Sequence, residues 1–108
     1  MSKKSTDSEL EYQRDLKLLY LMLQPTRAKI IQSLQHSSKY AKEIAREIEI
    51  DRRIAFWHLE TLRKYGLALR EYRLIKYAKS KPPAVAAFYE LTPEVERIRQ
   101  RFAEKFPF

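Results

Sequence analysis

A helical alternation of apolar and polar residues is clearest between Asp51 and Leu67, in the segment DRRIAFWHLETLRKYGL. At roughly 100° per residue, Ala55, Leu59 and Leu62 share one face. The opposite face carries Arg53, Trp57, Glu60 and Lys64. Asp51 can accept hydrogen bonds from the first amides of a helix, and Gly66 can adopt the left-handed conformation that ends one. The pattern predicts a helix over about 52–65 with a tryptophan exposed between cations.

The apolar residues of the segment 8–24 also recur at helical spacing, and Ser8 and Glu11 have the spacing of a capping box. A helix is therefore predicted over 8–24, ended by Pro25. Further apolar residues lie outside its main stripe, namely Leu10, Leu18, Leu21 and Met22. A helix that is apolar on more than one side needs more than one packing partner. We expect the domain core on one side and a second subunit on the other; the alternative is a helix buried wholly in its own core.

Two shorter helical segments precede the 52–65 helix. One, TRAKIIQSLQ, begins at Pro25 or Thr26, and the other spans Ala41 to about Glu47. Only a tight turn, residues 49–51, separates the latter from the 52–65 helix. This arrangement predicts a helix-turn-helix over 40–66, although such helix pairs also occur in proteins that do not bind DNA.

After Gly66 the pattern changes to that of extended chain. Two apolar strands flank the loop KSKPPA at 79–84, which predicts a hairpin, or wing, over 67–91. Thr92 is expected to cap a last helix over 93–106, with Pro93 at its first position. This helix and the segment after it contain Ile98, Phe102, Phe106 and Phe108, which should dock on the first helix or across a dimer interface. We expect one mainly α domain with a small β-hairpin, spanning 1–108.

The charge pattern favours a polyanionic partner. The chain has a net charge of +8 and a pI near 9.8, which is typical of nucleic-acid binding, although it also fits a generally basic surface. The cations of the hairpin are Arg70, Arg73, Lys76, Lys79 and Lys81, against Glu71 alone. We expect Lys79 and Lys81 to contact phosphate or enter a minor groove; the alternative is that they only solubilise an edge strand.

Several classes of function are excluded by composition. The chain has no cysteine, which excludes disulfides and thiolate metal sites, and a single glycine, which excludes glycine-rich phosphate loops. Neither His36 nor His58 has an identifiable nucleophile or acid partner, so we expect no enzyme and no cofactor. No apolar run approaches the roughly 20 residues that cross a membrane, and the polar start lacks the core of a signal peptide, so a cytoplasmic protein is expected.

Four segments carry a family resemblance: QPTRAKIIQSL, KEIAREIEI, HLETLRKYGL and FYELTPE, at 24–34, 42–50, 58–67 and 88–94. With these segments and this order of elements, the sequence resembles the ArsR-like group of prokaryotic winged helix-turn-helix transcriptional regulators, with an archaeal type expected. The resemblance covers most of residues 10–106. It implies a homodimer built from the terminal helices, whose recognition helices enter successive major grooves of a roughly palindromic DNA site.

The resemblance also assigns roles to residues. Asp51 to Trp57 occupy the stretch that contacts bases in the family. The DNA contacts expected here are Arg52, Arg53, Phe56, Trp57, Arg63, Lys64, Arg73, Lys76, Lys79 and Lys81. The expected dimer interface consists of Leu10, Leu18, Leu21, Met22, Ile98, Phe102 and Phe106. Metal-sensing members use cysteine or clustered histidine and acidic ligands, which this chain lacks, so no metal is expected.

The sequence departs from the family at two places. Tyr40 stands where a small capping Ser or Thr is usual. Phe56 and Trp57 replace small or polar residues on the base-contacting helix, which favours contact with thymine methyl groups or an altered docking angle.

The expected function is a sequence-specific, homodimeric regulator that binds double-stranded DNA. One alternative is a winged-helix protein-interaction module anchored by Phe56 and Trp57. Another is a binder of single-stranded nucleic acid or RNA, with Trp57 and tyrosines as stacking platforms. The sequence does not specify the DNA site, an effector, or whether regulation is positive or negative.

Overall fold

The structure, a computed structural model, describes residues 3–76 and 82–105. The helices of that part are α1 (Lys3–Leu23), α2 (Pro25–Ser33), α3 (Ala41–Ile48), α4 (Arg52–Lys64) and α5 (Pro93–Arg101), followed by a 3-10 turn at Ala103–Lys105. Its strands β1 (Lys39–Tyr40), β2 (Ala68–Ile75) and β3 (Ala84–Leu91) form an antiparallel sheet in the order β1-β3-β2. This confirms the mainly α fold with a β-hairpin.

The core lies where α4 meets α1, α2, α3 and the base of the hairpin. The inner face of α4 is buried as predicted, with Ala55, Leu59 and Leu62 inaccessible to solvent. The fully buried side chains packed around that face include Leu19, Met22, Ile30, Ile31, Ile44, Leu67, Tyr89 and Ile98. Apolar burial of this kind fixes α4 on the domain and leaves its other face outside.

The first helix begins earlier than its sequence signal indicated. α1 starts at Lys3, so the capping box of Ser8 and Glu11 does not mark its N-terminus. No glycine or proline interrupts residues 3–8, and helix propagation past Ser8 is therefore not opposed. The end was correct, since α2 begins at Pro25 and the Gln24 side chain accepts a hydrogen bond from the Arg27 amide at 2.8 Å.

Two local assignments at the sheet were wrong or missed. Thr92 lies at the N-cap of α5, but its hydroxyl donates to the Gly66 carbonyl at 2.7 Å and does not cap the helix. Tyr40 belongs to β1, a strand too short to produce a sequence pattern, and pairs with Phe88. The Tyr40 amide donates to the Glu43 carboxylate at 3.2 Å, so α3 begins cleanly without a small capping residue.

Most of the predicted dimer-interface residues are buried in the core of the single chain. Leu18 and Phe102 are only 8% exposed, and Met22 and Ile98 are fully buried. They pack inward because α1 contacts both α2 and α5, which covers Leu18 and Met22 of the apolar side of α1 that we assigned to a partner subunit. Leu21 is half-buried, whereas Leu10 is 62% exposed. Phe106 and Phe108 lie outside the described residues.

α1 and α5 are joined by an ion cluster that the sequence did not suggest. Asp15 is buried, with 1% of its side chain exposed, and accepts hydrogen bonds from Arg97 at 2.7 and 2.8 Å and from Arg101 at 2.6 Å. The Arg97 hydrogen bond, followed by that of Arg101, lowers the pKa of Asp15 to about 2 against the opposing effect of burial.

Candidate nucleic-acid interface

The start of α4 is fixed by a side-chain cap. Asp51 has an extended backbone, and its carboxylate accepts a hydrogen bond from the Arg53 amide at 2.7 Å. That hydrogen bond is the main reason why the pKa of Asp51 is lowered. At the other end, Gly66 has a φ of 76°, and the Leu67 amide donates to the Leu62 carbonyl at 2.9 Å. Both ends of the helix agree with the sequence prediction within one residue.

The N-terminal half of α4 exposes cations and large apolar side chains together. The Arg53 side chain is 93% exposed and reaches no closer than 3.4 Å to Asp51, and Arg52 is also exposed. Ile54, Phe56 and Trp57 are 49%, 48% and 60% exposed. An outward face with three large apolar groups is unusual for a surface that only meets water, so it indicates a contact surface.

Glu60 was predicted on the outer face of α4 but lies against the hairpin. Its carboxylate is largely covered and accepts hydrogen bonds from Arg63 at 2.9 Å, from Arg70 at 3.2 Å and from the buried Tyr89 hydroxyl at 2.6 Å. The Arg63 hydrogen bond contributes most to lowering the pKa of Glu60. Glu60 therefore ties α4 to both strands of the hairpin, and the charge of Arg63 is already partly neutralised.

Arg73 of the hairpin, like Arg63, already has partners within the chain. The Arg73 guanidinium donates to the Ser38 hydroxyl at 2.8 Å and to Glu71 at 2.9 Å, and it lies 5.0 Å from the centre of the Phe88 ring. Lys64, at the end of α4, and Lys76 are exposed. Lys79 and Lys81 lie outside the described residues.

A buried pair beneath α4 was missed by the sequence prediction. Arg27 is 9% exposed, and its Nη1 lies 3.2 Å from Nδ1 of His58, while its Nε donates to the Leu21 carbonyl at 2.6 Å. Burial, followed by the charge of Arg27, lowers the pKa of His58, which is therefore neutral and accepts the hydrogen bond at Nδ1. The only available signal was that both residues lie in the segments carrying the family resemblance.

In the part of the chain that the structure describes, no helix combines the length and apolarity needed to cross a membrane. In residues 3–76 and 82–105, no three histidine or acidic side chains gather into a group that could hold a metal ion.

Comparisons with known proteins agree with this arrangement. Residues 24–70 match the family described as bacterial regulatory protein, arsR family. No curated protein sequence gave a significant match. Among solved structures, the transcriptional repressor BigR from Xylella fastidiosa has a TM-score of 0.68 at 21% identity, over 96% of this chain and 99% of that one.

Two further structures have the same fold. Reduced HlyU from Vibrio cholerae has a TM-score of 0.62 at 22% identity, over 92% of this chain and 96% of that one. The homodimeric winged helix-turn-helix DNA-binding domain of Mb0332 from Mycobacterium bovis has a TM-score of 0.59 at 16% identity, over 96% of this chain and 82% of that one. The family match runs from the start of α2 into β2, so residues 24–70 are similar to the arsR family of regulatory proteins, and the chain has the winged helix-turn-helix fold that these structures share.

Proposed function

We propose that the chain acts as a homodimer that recognises a specific double-stranded DNA sequence. In this proposal, the recognition helix, 52–65, lies in the major groove, and the wing segment 70–84 contacts the backbone or the minor groove. The observation that carries it is the N-terminal half of α4, where Arg52 and Arg53 flank exposed apolar groups on a helix fixed by the core.

The side chains of this surface suit different parts of the duplex. Arg52 and Arg53, near the start of α4, can donate to guanine edges, and Phe56 and Trp57 can contact thymine methyl groups. Lys64 and Lys76 are suited to phosphates, as are Lys79 and Lys81 by sequence. Arg63 and Arg73 already hold intramolecular partners, so each must share or exchange a partner to reach a phosphate.

The homodimer is supported by the neighbour Mb0332, whose DNA-binding domain is homodimeric. In this chain the exposed apolar side chains of α1 include Leu10 and Tyr20, which are 62% and 67% exposed. A second copy is the simplest partner for such a helix face, and paired recognition helices would read two half-sites.

The first test is selection of bound duplexes from a randomised library, followed by affinity measurements over a range of salt concentrations. Phosphate contacts release counterions, so the logarithm of the association constant should fall linearly with the logarithm of salt concentration. A selected duplex should bind at least about a thousandfold more tightly than a scrambled one. A flat salt response would contradict DNA binding, and equal affinity for all duplexes would contradict sequence specificity.

A charge reversal separates this function from a protein-interaction module anchored by Phe56 and Trp57, which their exposure also favours. Arg53→Glu should abolish DNA binding, because it places an acid where the helix meets the duplex. Arg14→Glu makes the same change on the exposed surface of α1 and should retain binding. Unchanged DNA affinity in Arg53→Glu, with selection of a protein partner that needs Trp57, would favour the interaction module.

A further inference from the structure

A cleft beside the recognition helix contains a cation that has no acidic partner among the residues that the structure describes. The cleft has a volume of about 450 Å³ and lies between the C-terminal part of α1, the start of α2 and the outer side of α4. Arg27 lines it, and within the described residues the guanidinium contacts only the Leu21 carbonyl and the neutral His58. Burying a charge without a counter-charge is costly, so an anion bound here would be stabilised.

One nitrogen of Arg27 is available to such an anion. Nε and Nη1 are engaged, but Nη2 makes no hydrogen bond to the described residues and is not sealed from solvent. Arg27 as a whole is 9% exposed, so its guanidinium is reached through the cleft. A small molecule that enters the cleft is better suited to this contact than a phosphate held on a duplex backbone.

The other walls specify the rest of the ligand. Trp57 and Tyr65 supply aromatic surfaces, and Lys64 supplies a second cation. The Lys17 ammonium lies 5.4 Å from the centre of the Tyr65 ring, which adds positive charge at the same side. Glu60 also lines the cleft, but Arg63, Arg70 and Tyr89 already donate to its carboxylate.

We infer that this cleft binds a small organic acid, in which a carboxylate meets Arg27 and Lys64 and a flat apolar body lies against Trp57 and Tyr65. A guanidinium is suited to a carboxylate, and the volume falls within the range of small-molecule sites. Binding should affect the recognition helix, because His58 contacts Arg27 and its ring centre lies 4.9 Å from that of Trp57, with the two rings edge-on. That regulatory consequence rests on the proposed DNA-binding function, whereas binding itself does not.

The test uses Trp57 fluorescence, since it is the only tryptophan of the chain. The probes are benzoate and phenylacetate, each compared with its neutral amide, and inorganic phosphate, all titrated without DNA up to about 10 mM. We expect at least one carboxylate to give a saturable change and to bind at least about tenfold more tightly than its amide and than phosphate. Saturation by none of the carboxylates, or equal binding of acid and amide, would overturn the inference. Equal binding of phosphate would reduce the site to a general anion site and would also overturn it.

Variants locate the binding. Arg27→Gln should weaken carboxylate binding at least about tenfold, and Lys29→Gln, which removes an exposed cation of the same helix, should leave it unchanged. Because Arg27→Gln can disturb folding, Thr61→Phe provides a second variant that fills the cleft while keeping Arg27 and His58. Circular dichroism checks that each variant is folded. Full binding in a folded Thr61→Phe variant would overturn the inference.

A final measurement separates the site from its regulatory role. With a selected duplex, a carboxylate that binds the cleft should change DNA affinity at least about fivefold in the wild type and not in Thr61→Phe. Carboxylate binding without DNA binding would refute the proposed function and support the carboxylate site. DNA binding without carboxylate binding would support the proposed function and refute the site.

Discussion

His58 has a burial and a protonation state that the sequence pattern did not predict. It is buried and neutral, with Nδ1 accepting from Arg27, and its pKa lies below the ordinary value of 6.5. As the pH falls past the ordinary pKa, the unfolded chain therefore binds more protons at His58 than the folded chain does. By linkage, this contribution to stability is fully present above about pH 6.5 and is lost as pH falls from there towards the folded pKa.

We predict that the wild type loses stability as the pH falls from about 7 through the unfolded pKa of 6.5 and that His58→Gln loses less, because the Gln oxygen can still accept from Arg27 but does not titrate. The measurement is the free energy of unfolding in urea across this pH range. His36→Gln, at the other histidine, which is exposed, should follow the wild-type curve. Parallel curves for the wild type and His58→Gln would show that His58 is not the source.

Asp15 gives a second prediction at the scale of single residues. Its pKa of about 2, against an ordinary 3.8, corresponds to about 2 kcal/mol of stability at neutral pH. Because the folded pKa is lowered, this stability is present above about pH 5 and is lost as pH falls towards 2. Asp15→Asn should therefore be about 2 kcal/mol less stable at pH 7, and the difference should shrink on acidification.

The same unfolding experiment checks this prediction at pH 7 and at about pH 2.5, which lies between the folded and unfolded pKa values. Glu9→Gln, on the exposed surface of α1, is the matched control and should change stability by less than about 0.5 kcal/mol. A deficit in Asp15→Asn that does not depend on pH would mean that packing, and not the charge, is what Arg97 and Arg101 need.

At the scale of elements, the local signals at the two ends of α4 were sufficient, whereas the capping signals at Ser8 and Thr92 failed and the long-range contacts left no sequence signal. Asp51 and Gly66 placed α4 correctly because a cap and a left-handed stop act on their own helix end. Arg97 lies 82 positions from Asp15 along the chain, and Arg27 lies 31 positions from His58. The periodicity of the sequence indicates which face of a helix is polar, but not which distant residue that face contacts. Met22 and Ile98 were misassigned for a related reason, since a buried apolar side looks the same whether its own chain or another covers it.

The connection between α4 and the hairpin rests on Glu60. We predict that Glu60→Gln lowers stability by about 1–3 kcal/mol, because the hydrogen bonds from Arg63, Arg70 and Tyr89 lose a charged acceptor. Backbone amides of β2 and β3 should also exchange faster with solvent, which hydrogen exchange measures.

A double-mutant cycle assigns this effect to the contact itself. Glu60→Gln and Tyr89→Phe should be coupled by about 1 kcal/mol or more. Glu71→Gln breaks the more exposed contact with Arg73 on the same hairpin and should cost under about 1 kcal/mol. Additive effects of Glu60→Gln and Tyr89→Phe would contradict a shared contact between helix and hairpin.

At the scale of the whole molecule, the shape indicates where a second copy fits. The chain extends over 68 × 25 × 22 Å, and its radius of gyration of 16.7 Å exceeds the roughly 13 Å typical of a compact domain of this length. Contacts of α1 with α5 involve Tyr12 and Asp15, while Leu10 is 62% exposed on α1. A helix that extends beyond its own core with exposed apolar groups suits pairing between copies.

We predict that light scattering finds a mass of about twice 13.0 kDa for the wild type and that Leu10→Glu shifts it towards 13.0 kDa, because a carboxylate is costly to remove from water into an interface between copies. Leu74→Glu makes the same change on the hairpin, where Leu74 is 72% exposed, and should stay dimeric. Since two recognition helices bind more tightly than one, Leu10→Glu should also weaken binding to a palindromic duplex more than to a single half-site. A monomeric wild type at all concentrations would refute the homodimer, and a dimeric Leu10→Glu variant would move the interface away from α1.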